Sequence, residues 1–217
     1  MTYNPNQPRV PAGKETGGQW TSDGSGAASA AKKGAGLTKK LRYNYKAYDS
    51  RKWKHYDEEV EDYLEAGDYF SDNAQDLYDQ AHYESQQGGA KLNVLIDESN
   101  DQLPLSFYSG DWYPGFDAYT KGHEDEEWAK HADEVFQVLY LGSCVPGGGT
   151  AALMAACKQA LKGNATMLIL GAAEEAIGFY EKIGMHPLSS VMDSGFYWTA
   201  AEMKALVDEY FSREVDG

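Results

Sequence analysis

Three consecutive glycines, Gly147, Gly148 and Gly149, stand between a strongly apolar segment, EVFQVLYLGSC, and a segment of helical periodicity, TAALMAACKQALKG. Glycine has no Cβ, so backbone at such a junction approaches a ligand closely. The uncommitted N–H groups of a first helical turn, with the helix dipole, favour an anion. The chemistry to expect there is capture of a phosphate or pyrophosphate by backbone amides, with no Lys or Arg required. The GxxxxGK[ST] nucleotide loop is excluded, because Gly142-SCVP-Gly147 is followed by Gly148 where that loop has Lys. The run from Gly147 to Ala152 does fit the GxGxxG/A dinucleotide pattern. A dinucleotide fold, however, needs several further parallel βα units, and the chain beyond this helix reads as one βα unit, a hairpin and a helix. An ordinary glycine turn is the remaining reading. Cys144 adds a thiol beside the loop, but no His is paired with it to make it a nucleophile.

The elements that must position this loop are legible on both sides. LRYNYKAYD, from Leu41, alternates as a first strand. Asp49 or Ser50 then caps a helix carrying Trp53, Tyr56, Val60, Tyr63 and Leu64 on one face. A second helix is expected from Ser71 to Gln86, with Leu77, Tyr78, Ala81 and Tyr83 available for burial and Gly88-Gly89 ending it. KLNVLID and QLPLSFYSG read as a hairpin around ESND, followed by a long polar and aromatic loop with a short helix near Glu124–Lys130. After the apolar strand, the glycine loop and its helix come the strand TMLILGA and the helix EEAIGFYEKIG, with Gly184 as its C-cap. HPLSSVM and GFYWTA read as two final strands. TAAEMKALVDEYFSRE closes the chain as a helix, with Thr199 and Glu202 in capping-box spacing. The centre is a βαβ unit with antiparallel partners upstream, so the fold class is α/β.

The formal net charge is −15 over 217 residues, unevenly spread. Residues 1–41 hold six Lys/Arg against two Asp/Glu, and the rest holds thirteen against thirty-two. A body this acidic should repel nucleic acid and anionic membrane and attract cationic partners, such as amines or a basic protein surface. No apolar run approaches the ~20 residues of a membrane helix, and the N-terminus is no secretory signal. A cytoplasmic or particle-enclosed location is expected. The two cysteines, Cys144 and Cys157, read as free thiols, and neither the histidines nor the acidic residues show metal-ligand spacing. Residues 1–40 read as a disordered tether ahead of one domain over 41–217. Within the tether, NQPRVPAGKETGGQW resembles short segments of tailed-phage head-associated and polymorphic-toxin-like proteins.

Two motifs together resemble the GNAT superfamily of N-acetyltransferases. The first is Cys144-VP-Gly147-G-Gly149, followed by TAALM, where the family has [QR]xxGx[GA] between a strand and a helix. The second is Ala176-IGF-Tyr180-EKI-Gly184-Met185, where the family has a YEKxGF-like segment after the next strand. The resemblance runs from about Val135 to Pro187. The family's [QR], Asn and Phe positions are Cys144, Ala173 and Met185 here. It implies a mixed, splayed sheet flanked by helices and acetyl-CoA as co-substrate. Val145, Gly147, Gly148, Gly149, Thr150 and Ala151 would then hold the pyrophosphate, and the pantetheine arm would lie along Leu139, Tyr140 and Leu141. Tyr180 matches the tyrosine that protonates the leaving thiolate. Glu134 is the first candidate for the base, with Asp133, His131 and Glu127 as alternatives, or a water relay in place of any residue. The function implied is direct acetyl transfer to a cationic amine, on a small molecule or on a protein. The alternative is a non-catalytic GNAT-like component of a virion or other particle, docked through its tail.

Overall fold

The computed structural model describes residues 45–50, 72–143, 145, 147–188 and 190–212. The expected tether, the start of the first strand, the helix bearing Trp53 to Leu64, and Cys144 lie outside the described residues. Seven strands form one sheet in the order β1-β2-β3-β4-β5-β7-β6. They are β1 (Tyr45–Asp49), β2 (Lys91–Asp97), β3 (Asn100–Trp112), β4 (Val135–Ser143), β5 (Met167–Gly171), β6 (His186–Pro187) and β7 (Gly195–Thr199). The helices are α1 (Asp72–Gln86), α2 (Gly148–Lys162), α3 (Ile177–Lys182) and α4 (Ala200–Ser212). Among the described strands only β4 and β5 pair in parallel, and α2 makes the crossover between them.

Both faces of the sheet are covered, which is why its central strands read as unbroken apolar runs. In β5, Leu168 and Leu170 face one side while Met167 and Ile169 face the other. On the first side lie α2 and α4. Ala151, Ala152, Ala156 and Ala160 of α2 are fully buried, and such small residues let the helix lie close to the strands. On the second side, Tyr78 and Ala81 of α1 meet Leu92, Val94, Ile96 and Phe107. Beside them Phe116 and Trp128, from two 3-10 helices (Phe116–Thr120 and Glu127–His131), cover Val135, Met167 and Ile169.

Several expectations need correction in detail. Leu77 and Tyr83 are exposed, because the buried stripe of α1 runs through Tyr78, Ala81 and Ser85, and Tyr83 points about opposite to it at ~100° per residue. The helix does end at the glycine pair: Gly88 is left-handed (φ 86°), and Gly89 N–H donates to Glu84 O at 2.9 Å. The β2–β3 turn is tighter than ESND, since Asp97 Oδ1 accepts from both Ser99 N–H (2.8 Å) and Ser99 Oγ–H (2.7 Å). HPLSSVM is a strand only at His186–Pro187. The chain then turns over the buried Leu188, whose carbonyl accepts from Val191 and Met192 N–H. The expected single helix over 174–184 is a 3-10 turn (Glu174–Ala176) continued by the six residues of α3.

Stability predictions arise at two places here. A Cβ on Gly142 would overlap the buried Phe107 ring. Gly142→Ala is therefore expected to cost about 1–3 kcal/mol, as overpacking does, read as a lower urea midpoint with unchanged m-value. At the start of α4, Thr199 N–H and Oγ–H both donate to Glu202 Oε2 (3.0 Å each), and Glu202 N–H returns a 3.4 Å bond to Thr199 Oγ1. Glu202 Oε1 also meets His186 Nε2 at 2.6 Å, tying α4 to β6. Burial pushes the Glu202 carboxyl up, but the bonds from His186 and Thr199 outweigh it and hold the carboxyl below its ordinary value. That contribution is present above the unfolded pKa of ~4.3 and disappears as pH falls through the lower folded value. Thr199→Ala should cost about 1 kcal/mol at pH 7. The stability gap between wild type and Glu202→Gln should close in unfolding curves taken at steps from pH 7 to pH 3.

Candidate functional site

The site begins where β4 loses one partner. Val135 to Val138 pair with Met167 to Leu170 of β5, and the pairing stops there. On its other edge β4 stays paired with β3 as far as Ser143. The β3–β4 register jumps from Ser109↔Tyr140 to Gly110↔Val138, so Leu139 is an extra residue and forms a β-bulge. From Leu139 to Ser143, therefore, one edge of β4 has no described strand against it, and among the described residues its backbone groups are open to a ligand. Leu139 is exposed and Tyr140 and Leu141 are half-buried along this gap. β5 ends at Gly171, and Ala172 N–H turns to Ser194 O at 2.9 Å.

The freed edge leads directly into the glycine turn. Ser143 Oγ–H donates to Val145 O (2.6 Å), and Gly148 N–H donates to the same carbonyl (2.9 Å), which fixes the loop. Gly147 is left-handed at φ 86° and serves as N-cap of α2 with no side chain to cap it. The first turn of α2 carries no acidic residue. Gly148 N–H is taken by Val145 O and Ala151 N–H by Gly147 O (3.1 Å), whereas no described residue bonds the amides of Gly149 and Thr150. The two glycines differ sharply in their surroundings. A Cβ on Gly148 would overlap Ser143 Oγ and stand 2.6 Å from Leu105 O, whereas one on Gly149 would have nothing nearer than Leu141 Cδ2 at 3.8 Å. Beneath the turn, the buried Ser106 Oγ has no hydrogen-bond partner among the described residues. An uncapped, glycine-faced helix N-terminus with open space in front of it fits a pyrophosphate on backbone amides alone.

Tyr180 lies on α3 and shares one apolar cluster with Leu141, Val145 and Ala151. Its ring packs edge-on to Phe179 (5.1 Å between centroids) and tilted on Phe196 (5.6 Å). Burial pushes its phenol up to about 12, so it keeps its proton throughout the neutral range. No described group bonds its hydroxyl, unlike a core tyrosine satisfied by a carbonyl. Cys157, a free thiol in the same cluster, is likewise pushed well up by burial. Met185, where the GNAT pattern has Phe, is buried behind α3, and its N–H donates to Tyr180 O at 3.0 Å.

Glu134 is not brought to this end of the sheet. It precedes β4 at the end where β4 and β5 are paired, its N–H bonded to Thr166 Oγ1 (3.0 Å) and its carbonyl to Thr166 N–H (2.8 Å). Glu127 is occupied by Lys130 (2.6 Å) and His131 (3.5 Å), and Asp133 is exposed beside Glu134. A carboxylate that the sequence did not single out lies nearer the bulge: Tyr140 Oη–H donates to Glu84 Oε1 of α1 at 2.8 Å. These residues are 56 apart in sequence, and no spacing rule connects a helix residue with a strand residue at that distance.

No family model and no curated protein matches this sequence. Among solved structures the fold is similar to AtaTR bound with AcCoA, with a TM-score of 0.51 at 14% identity over 75% of this chain and 97% of that one. It is also similar to a bacterial toxin, with a TM-score of 0.50 at 12% identity over 76% of this chain and 96% of that one. At these identities the likeness is one of fold. The fold is GNAT-like, a mixed, mostly antiparallel open sheet flanked by helices. No helix among the described residues is long and apolar enough to cross a membrane.

Proposed function

We propose that this chain is an acetyl-CoA-dependent N-acetyltransferase that passes an acetyl group directly to an amine. One observation carries the reading: the edge of β4 freed after the Leu139 bulge runs into an uncapped glycine N-terminus of α2, and Tyr180 shares the cluster behind that edge. The co-substrate bound in the AtaTR structure, which has the same fold, supports the choice of ligand.

On this reading the amides of Gly149 and Thr150 hold the pyrophosphate. Val145, Gly147, Gly148 and Ala151 shape the turn that aims them. Leu139, Tyr140 and Leu141 line the pantetheine arm, and open N–H groups on this edge of β4 face the carbonyl oxygen where negative charge develops. Bound there, acetyl-CoA supplies an activated acyl group. Tyr180 gives its proton to the departing sulfur. Burial that raises the Tyr180 phenol also raises the proton affinity of a thiolate formed beside it, which offsets the high pKa of the donor. Glu134, held at the far end of β4, has no part in this arrangement.

The acceptor is a cationic amine, on a small molecule or on a basic protein, drawn by a chain of formal charge −15. The alternative of a non-catalytic, phage- or virion-associated module rests on residues 1–40 and Cys144, outside the described residues, and on the departures at Ala173 and Met185. The test is a calorimetric titration of acetyl-CoA into the full chain, with NADH as control. Micromolar binding of acetyl-CoA alone supports the reading, and absence of binding at millimolar acetyl-CoA ends it.

A further inference from the structure

Tyr140 follows the bulge residue Leu139 directly and turns to the α1 side of the sheet, packing beside Phe107, whereas Leu141 and Tyr180 belong to the α2 side. Its hydroxyl donates to Glu84 Oε1 at 2.8 Å. Gln80 Nε2–H, one turn earlier on α1, donates to the same oxygen at 2.7 Å. Both bonds converge on Oε1, and no described group bonds Oε2. The carboxylate is thus anchored by two donors on one oxygen, while the other has no partner among the described residues. The splay has a buried, protonated phenol on one face and this anchored carboxylate on the other. We propose that Glu84 is the acceptor-side carboxylate: its Oε2 binds the ammonium form of the acceptor and takes one proton from it. This rests on the acetyltransferase reading above.

The proton balance closes. Glu84 takes one proton from R–NH3+ and later releases it to solvent. The C–N bond forms as the C–S bond breaks, and Tyr180 protonates the sulfur. The second proton lost by nitrogen returns to the Tyr180 phenolate through water. Net, an ammonium and a thioester give an amide, a thiol and one proton. Entry of the amine from the α1 face also keeps it clear of the pyrophosphate turn on the α2 face. Among the described residues, the other titratable side chains packed in this layer include His82 and Tyr78 on α1 and Tyr48 on β1, while β2 presents Leu92, Val94 and Ile96 to it.

The experiment measures acetyl transfer by the full chain to a fixed panel: a short diamine, a polyamine, lysine amide, a basic peptide with a free N-terminus, and neutral and anionic amino compounds. Wild type, Glu84→Gln, Glu84→Asp and Tyr140→Phe are compared, with acetyl-CoA affinity measured separately for each. Glu84→Gln should lower kcat/KM for cationic amines about 100-fold, within the range of a positioned general base. Its affinity for acetyl-CoA should stay within about twofold, because Glu84 lies off the pyrophosphate turn. Glu84→Asp should restore part of the rate, and Tyr140→Phe should lower kcat/KM for cationic amines by a smaller factor than Glu84→Gln, because the carboxylate loses one of its two anchoring donors. Wild-type rates toward cationic amines in Glu84→Gln overturn the inference. So does acetyl-CoA binding with no transfer to any cationic amine, or a preference for neutral or anionic acceptors. Failure of wild type to bind acetyl-CoA overturns instead the reading on which it rests.

Discussion

Gly149→Glu should abolish acetyl-CoA binding while leaving the protein as stable as wild type or slightly more so. The two halves of this result have separate causes. A Cβ at Gly149 meets nothing closer than 3.8 Å, so the fold accepts a side chain there. A carboxylate in the first turn of α2 interacts favourably with the helix dipole, by about 0.3–1 kcal/mol. The same carboxylate occupies the space proposed for the pyrophosphate and carries the same sign of charge. A rise in Kd of at least about 100-fold is expected, equivalent to roughly 2.8 kcal/mol. Gly148→Ala is the contrasting case. Its new methyl would overlap Ser143 Oγ and press on Leu105 O, so stability falls along with binding. Calorimetric titration and thermal unfolding of both variants separate a lost ligand contact from a lost fold. Binding within twofold of wild type in Gly149→Glu would remove the glycine turn from the site.

The second large effect is expected at Tyr180. Tyr180→Phe removes one oxygen and keeps the ring contacts with Phe179 and Phe196. Because no described group bonds that hydroxyl, its removal leaves no orphaned partner, and stability should change by less than about 0.5 kcal/mol. Acetyl-CoA affinity should hold as well. Turnover should fall about 100- to 1,000-fold, the scale of a lost general acid. The measurement is single-turnover transfer to an amine with acetyl-CoA saturating. With its phenol pushed up to about 12, Tyr180 stays protonated and should produce no loss of rate in wild type between pH 6 and pH 9. A variant that retains activity within threefold would reduce Tyr180 to a packing residue.

Periodic and local features were the ones legible in the sequence. The strand–glycine–helix junction and the Thr199–Glu202 box depend on neighbours within a few residues and formed where expected, while the helix around Tyr180 formed in part, as a 3-10 turn continued by a six-residue helix. Leu139 to Leu141 were also placed on an open edge, although that edge exists only because β5 diverges after Leu170. The resemblance to the GNAT pattern carried that point, since nothing local to β4 marks the bulge. Elements failed where a short segment had two outcomes. HPLSSVM alternates well enough for a strand, but Pro187 lacks an N–H and the buried Leu188 anchors a turn. The position of the candidate base was not legible for a deeper reason. Glu134 is close in sequence to β4, yet a strand rises ~3.3 Å per residue and carries it away from the splay. Glu84 is remote in sequence and arrives only through the packing of α1 on the sheet.

The sheet ends at β6, a strand of two residues of which one is proline. An unpaired strand edge is a template on which another chain can add in register. This one offers so short a row, with one N–H missing, that an incoming strand has almost nothing to propagate along. Edge-to-edge growth at that side should be slow even at high protein concentration. On this side, the shortness of the described edge strand leaves little on which fibrous assembly could be seeded.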